Sequence, residues 1–127
     1  SKICEKTNQR NTLINYEKAN DSVNMLNTIM INDKLFTKSD LKLSEVAKKM
    51  ELSTHELSKL INNHIGKNFT DFINEYRIEE AKQLIKENSK YTIEAIGNES
   101  GFSSKSAFYK AFKKITSTTP AKYKSQL

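Results

Sequence analysis

Residues 68–88 have the sequence NFTDFINEYRIEEAKQLIKEN, which contains neither proline nor glycine and is rich in residues that favour helices. Asn68 can cap the first turn, where the carboxylate of Asp71 suits the positive end of a helix. At about 100° per residue, the apolar face changes sides halfway along. The pattern therefore predicts one long helix that completes two small cores. The first half offers Phe69, Phe72, Ile73 and Tyr76, and the second half offers Ile78, Ala81 and Ile85.

Length and composition limit the class of protein. The chain has 127 residues, of which 36% are hydrophobic, with three glycines, one proline and no tryptophan. These values suit a helical protein of one domain or of two very small ones. The sequence contains no run of eighteen apolar residues, which argues against a membrane span, and its first residues lack the apolar region of a signal peptide. We expect a cytoplasmic protein with no membrane contact in this segment.

Few residues are suited to catalysis or metal binding. Cys4 is the only cysteine, and His55 and His64 are the only histidines, so no metal-ligand cluster can be assembled from their spacing. Serine, histidine and cysteine also show no spacing that is typical of catalysis. We expect no enzymatic activity, no cofactor and no bound metal.

The net charge of +6 is unevenly distributed. Residues 1–40 carry six Lys or Arg against five Asp or Glu, residues 41–88 carry eight against eight, and residues 89–127 carry seven against two. A local basic surplus favours a polyanionic partner such as nucleic acid, although many basic surfaces bind nothing in particular.

The beginning of the chain differs from the rest. Residues 1–20 are polar and show no sustained period, which predicts a linker or flexible tail before a folded region at 21–127. Residues 21–31 place Val23, Leu26 and Met30 on one side of a short predicted helix. The chain begins without methionine, as an excised fragment or a processed product does, and we expect a further region upstream.

A helix-turn-helix pattern occurs twice, in residues 41–66 and 92–124. In the first copy, a short helix is followed by a break and by the capping box of Ser53 and Glu56, and Gly66 ends the second helix. Residues 46–53 match 96–103 at a shift of 50, whereas later positions match at a shift of 51. The second turn is therefore one residue longer.

Each copy has an outward helix face with hydrogen-bonding groups, lysine and no carboxylate. Such a face can contact base edges in a major groove and nearby phosphates, although either face alone also fits an ordinary solvated surface. Tyr109 fits a packing residue as well. We expect base readout by His55, Ser58, Lys59, Ser106, Tyr109 and Lys110. We expect contacts with the DNA backbone from Ser44, Thr54, Asn62, Asn63, Lys67, Thr92, Ser104, Lys105, Lys113 and Lys114.

A helix of about twenty residues is about 30 Å long, close to the roughly 34 Å turn that separates successive major grooves. The sequence therefore predicts sequence-specific binding of double-stranded DNA, with two recognition helices in adjacent grooves. The alternative is a helical protein-interaction module with a basic tail.

Residues 41–124 resemble the DNA-binding domain of AraC/XylS-type transcription regulators. The resemblance depends on Gly101-Phe102-Ser103, Phe112-Lys113, the segment from Thr119-Pro120 to Tyr123, Tyr76-Arg77-Ile78, and the residues from Ala81 to Ile85. It implies an all-α fold of about seven helices, with two helix-turn-helix subdomains joined by a long central helix. It also implies transcription regulation at double-stranded promoter DNA, RNA polymerase as a further partner, and a sensing or dimerising region upstream. Departures from the usual family residues occur at Gly97, Ser100 and Ser117.

Overall fold

The computed structural model describes residues 2–87 and 90–127, apart from the side chains of residues 2–15. Seven helices and no strand occur in this part of the chain: α1 (Lys2–Asp33), α2 (Leu43–Lys49), α3 (Thr54–Lys59), α4 (Phe69–Lys86), α5 (Ile93–Glu99), α6 (Lys105–Thr116) and α7 (Pro120–Ser125). A 3₁₀ turn, Leu35–Thr37, follows α1, and α3 continues as a π-helical segment, Leu60–Ile65. The predicted all-α class is confirmed.

Helix α4 contributes to two separate cores, as its changing apolar face predicts. Phe72 and Ile73 are buried in a first core with residues of α1, α2 and α3, including Leu26 and Val46. The second core contains the other half of α4 and the two helices of the second unit: Ile78, Ala81, Ile85, Ile96, Phe102, Phe108, Ala111 and Phe112. Each fully buried aliphatic or aromatic side chain contributes about 1.5–3 kcal/mol relative to exposure, so α4 stabilises both units.

Helix α1 begins much earlier than the short helix predicted over residues 21–31, because residues 2–20 are helical too. That residues 1–20 serve as a linker or flexible tail stays a prediction. A polar stretch without glycine or proline contains nothing that ends a helix, and the lack of an apolar period indicates only that no face must be buried. None of the described helices combines the length and apolar character that crossing a membrane requires.

The two turns share one hydrogen-bonding pattern. The Leu52 amide N–H donates to the Ala47 carbonyl (2.9 Å), and that of Phe102 donates to the Gly97 carbonyl (3.0 Å). Such a turn requires a left-handed residue just before the donor. Gly101 adopts this conformation at φ 109°, which glycine tolerates, whereas Glu51 adopts it at φ 58°. The first turn therefore begins with the same geometry, but with a strained residue at the left-handed position.

The residues that depart from the family pattern have direct structural effects on the second unit. A Cβ at Gly97 would lie 2.6 Å from Cδ2 of Phe108, so the missing methyl group is what lets this ring pack against α5. Ser100 is fully buried, and its hydroxyl has no hydrogen-bond partner among the described residues. Ser117 adopts a left-handed conformation (φ 64°) at the end of α6, where glycine would be unstrained.

Arg77, in the middle of α4, joins the two units. Its Nε donates to the Phe36 carbonyl (2.7 Å) and its Nη2 to the Lys38 carbonyl (2.9 Å). Its guanidinium carbon lies 5.7 Å from the centre of the Phe102 ring in the second turn. The side chain is half-buried, and this burial lowers the pKa of Arg77. One side chain thus contacts the connection after α1 and the second helix-turn-helix unit, which helps to hold the units in one orientation.

Candidate nucleic-acid interface

The first candidate recognition helix, α3, begins with the predicted capping box. The Glu56 amide N–H donates to the Ser53 hydroxyl (3.0 Å), and the Ser53 amide N–H donates to the Glu56 carboxylate (3.1 Å). Hydrogen bonding of the Glu56 carboxylate to Ser53, above all to its backbone N–H, lowers the pKa of Glu56, because it stabilises the ionised form. Leu57 and Ile61 are buried in the first core. The cap and these two anchors determine which side of α3 faces outward.

The outward side of α3 carries the residues that were predicted for it. His55 and Lys59 are exposed and Ser58 is half-buried. The Asn62 side-chain amide donates to the Ser58 hydroxyl (3.2 Å), which orients the amide on the surface. These four residues and Asn63 line one shallow concavity. The outward side of α3 therefore forms a continuous polar surface.

The π-helical segment after α3 was not predicted. The Gly66 amide N–H donates to the Ile61 carbonyl, five residues back, at 2.9 Å, and Gly66 is left-handed (φ 83°). On this segment, Nε2 of His64 lies 2.8 Å from Oδ1 of Asn20, and its ring packs edge-on against Tyr16 of α1. His64 thus faces α1 and not the predicted DNA side, in agreement with its helical spacing from His55.

The second candidate recognition helix, α6, presents an equivalent face. The Ser104 hydroxyl caps it by accepting from the Ala107 amide N–H (3.1 Å). Its inner side is buried through Phe108, Ala111 and Phe112. Of the side chains predicted to face outward, Tyr109 is half-buried, and the exposed ones are Ser106, Lys110 and Lys113.

Tyr109 is packed on one side and partly accessible on the other. Its ring stacks on that of Phe108, with centroids 5.7 Å apart. The ammonium group of Lys105 lies 5.4 Å from the Tyr109 ring centre and 3.0 Å from the Glu94 carboxylate. Hydrogen bonding to Glu94 is the main cause of the raised pKa of Lys105. The tyrosine is therefore held in place by packing while part of it stays accessible at the face.

The residues predicted to contact phosphates fall into three groups. Thr92 and Ser104 already use their hydroxyl oxygens as helix caps. Ser44, Thr54, Asn62, Asn63 and Lys113 are exposed on or beside the first and second units. Lys67, Lys105 and Lys114 form ion pairs with Glu75, Glu94 and Asp71, respectively. These carboxylates were missed, because residues 43 positions apart, such as Asp71 and Lys114, show no proximity in sequence.

Other kinds of site find no support in the described residues. No group of three or more histidine, cysteine, aspartate or glutamate side chains there is arranged to hold a metal ion. The polar groups at both helix faces are hydrogen-bond donors and acceptors beside positive charge. This combination suits phosphates and base edges.

Comparison with known proteins agrees with this geometry. Residues 46–126 match a family model described as a helix-turn-helix domain. The chain is 33% identical over 89 residues to the Msm operon regulatory protein of Streptococcus mutans. The aligned segment covers 70% of this chain and 32% of that protein. The structure is similar to the C-terminal domain of the two-component response regulator yesN from Fusobacterium nucleatum, with a TM-score of 0.69, 27% identity and coverage of 82% and 98% of the two chains.

A third similarity is to a transcriptional regulator from Chromobacterium violaceum that is described as containing an AraC-type DNA-binding domain. Its TM-score is 0.62, with 26% identity over 68% of this chain and 76% of that one. The chain spans about a third of the length of the Streptococcus relative. The resemblance predicted for residues 41–124 is thereby confirmed. The chain belongs to the AraC/XylS-type helix-turn-helix family, a family of DNA-binding transcription regulators and not of enzymes.

Proposed function

We propose that this chain binds a specific sequence in double-stranded promoter DNA, with α3 and α6 in successive major grooves on one side of the duplex. The observation that supports this most directly is the presence of two equivalent polar faces on units that share α4. The 18 residues of α4 make a helix about 27 Å long, comparable with the roughly 34 Å turn of DNA. A single chain would then engage two half-sites.

The side chains on the two faces provide different contacts. Lysine donates to the O6 and N7 acceptors of guanine, whereas serine hydroxyls both donate and accept. On α3, His55 and Lys59 stand beside Ser58, and on α6, Lys110 stands beside Ser106 and the accessible part of Tyr109. We infer that each face reads its own half of the target. The nearby caps and exposed lysines fix the position through phosphate contacts.

The proposal extends to the regulator as a whole. A regulator bound at a promoter acts beside RNA polymerase, which we propose as a further partner. Because the Streptococcus relative is about three times as long as the segment it shares with this chain, we also propose a sensing or dimerising region upstream of this segment.

The test begins with selection of bound duplexes from a random pool, followed by titration of the selected site at several salt concentrations. Lys59→Ala and Lys110→Ala should each weaken binding by about five- to a hundredfold and relax base preference only in their own half-site. Lys34→Ala is the matched control, since this exposed lysine pairs with Glu80 and belongs to neither face. It should change affinity less than twofold.

Failure of the selection to yield a preferred sequence, with equal affinity for scrambled DNA, would contradict the proposal. Unchanged affinity in both Lys59→Ala and Lys110→Ala would favour the alternative, a helical protein-interaction module whose basic tail binds acidic partners.

A further inference from the structure

The lysines near the two recognition helices differ in how they are paired. Lys59 and Lys110, which we propose to read bases, form no ion pair with any described residue. Three lysines that we expect at phosphates are instead paired with carboxylates: Lys114 with Asp71 (3.2 Å), Lys105 with Glu94 (3.0 Å), and Lys67 with Glu75.

Two of these pairs line one cleft beside α4, and one of them, Lys114 with Asp71, joins the second unit to the first half of α4. Asp71 and Glu75 are on adjacent turns of α4, about 40° apart around its axis. Lys67, at the end of the first unit, pairs with Glu75, and Lys114, on α6, pairs with Asp71. All four residues line one cleft together with Ala111. The carboxylates of α4 are therefore placed beside lysines of both units.

The third pair lies at the start of α6. Both partners are well exposed, with 58% of the Lys105 side chain and 62% of the Glu94 side chain accessible. Because such surface ion pairs are weak, a phosphate can displace the carboxylate at small cost. Until it is displaced, the carboxylate occupies the ammonium group and repels an approaching phosphate.

We propose that Asp71, Glu75 and Glu94 are intramolecular competitors for the DNA phosphates, and that they set the sequence-independent part of the DNA affinity. This inference rests on the proposed DNA-binding function. Lysine-phosphate contacts supply nearly all of non-specific binding. Carboxylates that pair with these lysines keep the non-specific affinity low. The lysines that we propose to read bases, Lys59 and Lys110, form no ion pair with any described residue.

The expected size follows from the strength of exposed ion pairs. Pairs of this kind are weak, so neutralising one carboxylate should tighten binding by up to about fivefold. Because the change acts on phosphate contacts, the selected site and an unrelated duplex should gain by the same factor. The dependence of log K on log salt should become steeper by up to about 0.9 for each lysine released.

The experiment measures fluorescence anisotropy of a labelled selected duplex and of an unrelated duplex at 50–200 mM salt. The variants are Asp71→Asn, Glu75→Gln and Glu94→Gln. Glu80→Gln is the matched control, because Glu80 is also on α4 and also paired, with Lys34, but lies about 180° from Asp71 around the helix. We expect tighter binding for the three variants and less than a 1.5-fold change for the control.

A double-mutant cycle separates lysine release from a general loss of negative charge. If Asp71 acts through Lys114, the gain from Asp71→Asn should disappear in a Lys114→Gln background. A gain that persists there, or an equal gain in Glu80→Gln, would overturn the inference, and so would unchanged or weaker binding in the three variants. Wild-type protein that shows no sequence preference would instead refute the proposed function itself.

Discussion

Arg77→Met should loosen the junction between the two units. The substitution keeps an apolar stem but removes the donors to the carbonyls of Phe36 and Lys38, and the positive charge near Phe102. Hydrogen bonds from charged donors contribute about 1.5–3 kcal/mol each, and the lower end applies to a half-exposed group. The free energy of unfolding should therefore fall by about 3 kcal/mol, which corresponds to about 10 °C in Tm for a domain of this size.

The loss should also appear in DNA binding, and in a selective way. If the junction is mobile, binding to the full site must also fix the two units in one orientation, and this ordering lowers the affinity. The wild-type protein has its units ordered before it binds. Affinity for the full site should fall by about tenfold, equivalent to about 1.4 kcal/mol, while affinity for each isolated half-site should change little. Thermal unfolding by circular dichroism and anisotropy titrations on full and half sites measure both effects.

Arg77→Lys is the informative control, because lysine keeps the charge but lacks the planar fork that reaches both carbonyls. It should recover less than half of the lost stability. A melting temperature for Arg77→Met within 2 °C of wild type, together with an unchanged ratio of full-site to half-site affinity, would refute the assignment of Arg77 as the connection between the units.

Three further predictions concern local features and are measured by urea denaturation. Glu51→Gly should stabilise the protein by about 1 kcal/mol, because it removes a side chain from a left-handed backbone position. Gly101→Ala should destabilise it severely, because the Cβ of the alanine would collide with a backbone carbonyl. Changes of the opposite sign would contradict this reasoning. Ser100→Ala should stabilise by about 1 kcal/mol by removing a buried hydroxyl without a partner, and a loss of stability would indicate an unseen hydrogen bond. Because the pKa of Glu56 is lowered, its contribution to stability is present above the carboxyl pKa of the unfolded chain and is lost as pH falls through the lowered value. Glu56→Gln should therefore cost stability at about pH 7 but little at about pH 2. A loss of stability that does not depend on pH would contradict the role of the Glu56 charge in capping Ser53.

The features that were predictable from sequence are those that depend on near neighbours. The division of α4 between two cores follows from the spacing of Phe72 and Ile73 against Ile78 and Ala81, which is a property of helical period alone. Caps such as Ser53 join residues three positions apart. The outward faces of α3 and α6 followed from the same rule, since burying one side of a helix exposes the other.

The features that sequence did not reveal depend on tertiary structure or on marginal preferences. The ion pair of Lys114 with Asp71 and the bonds of Arg77 join residues far apart in the chain. The π-helical segment after α3 reflects a local choice between two hydrogen-bonding patterns near Gly66, which composition does not determine. Helix α1 is longer than the sequence predicts, because a polar stretch without an apolar period can still be helical.

The central proposal is that one chain places α3 and α6 in successive grooves of a single duplex, held at a fixed separation by α4. The most direct measurement is the affinity for the selected site after five or ten base pairs are inserted between its half-sites. Because α4 spans only about one turn of DNA, both insertions should reduce affinity to that of a single half-site. Retention of full affinity after the five-base-pair insertion would contradict simultaneous engagement of the two helices.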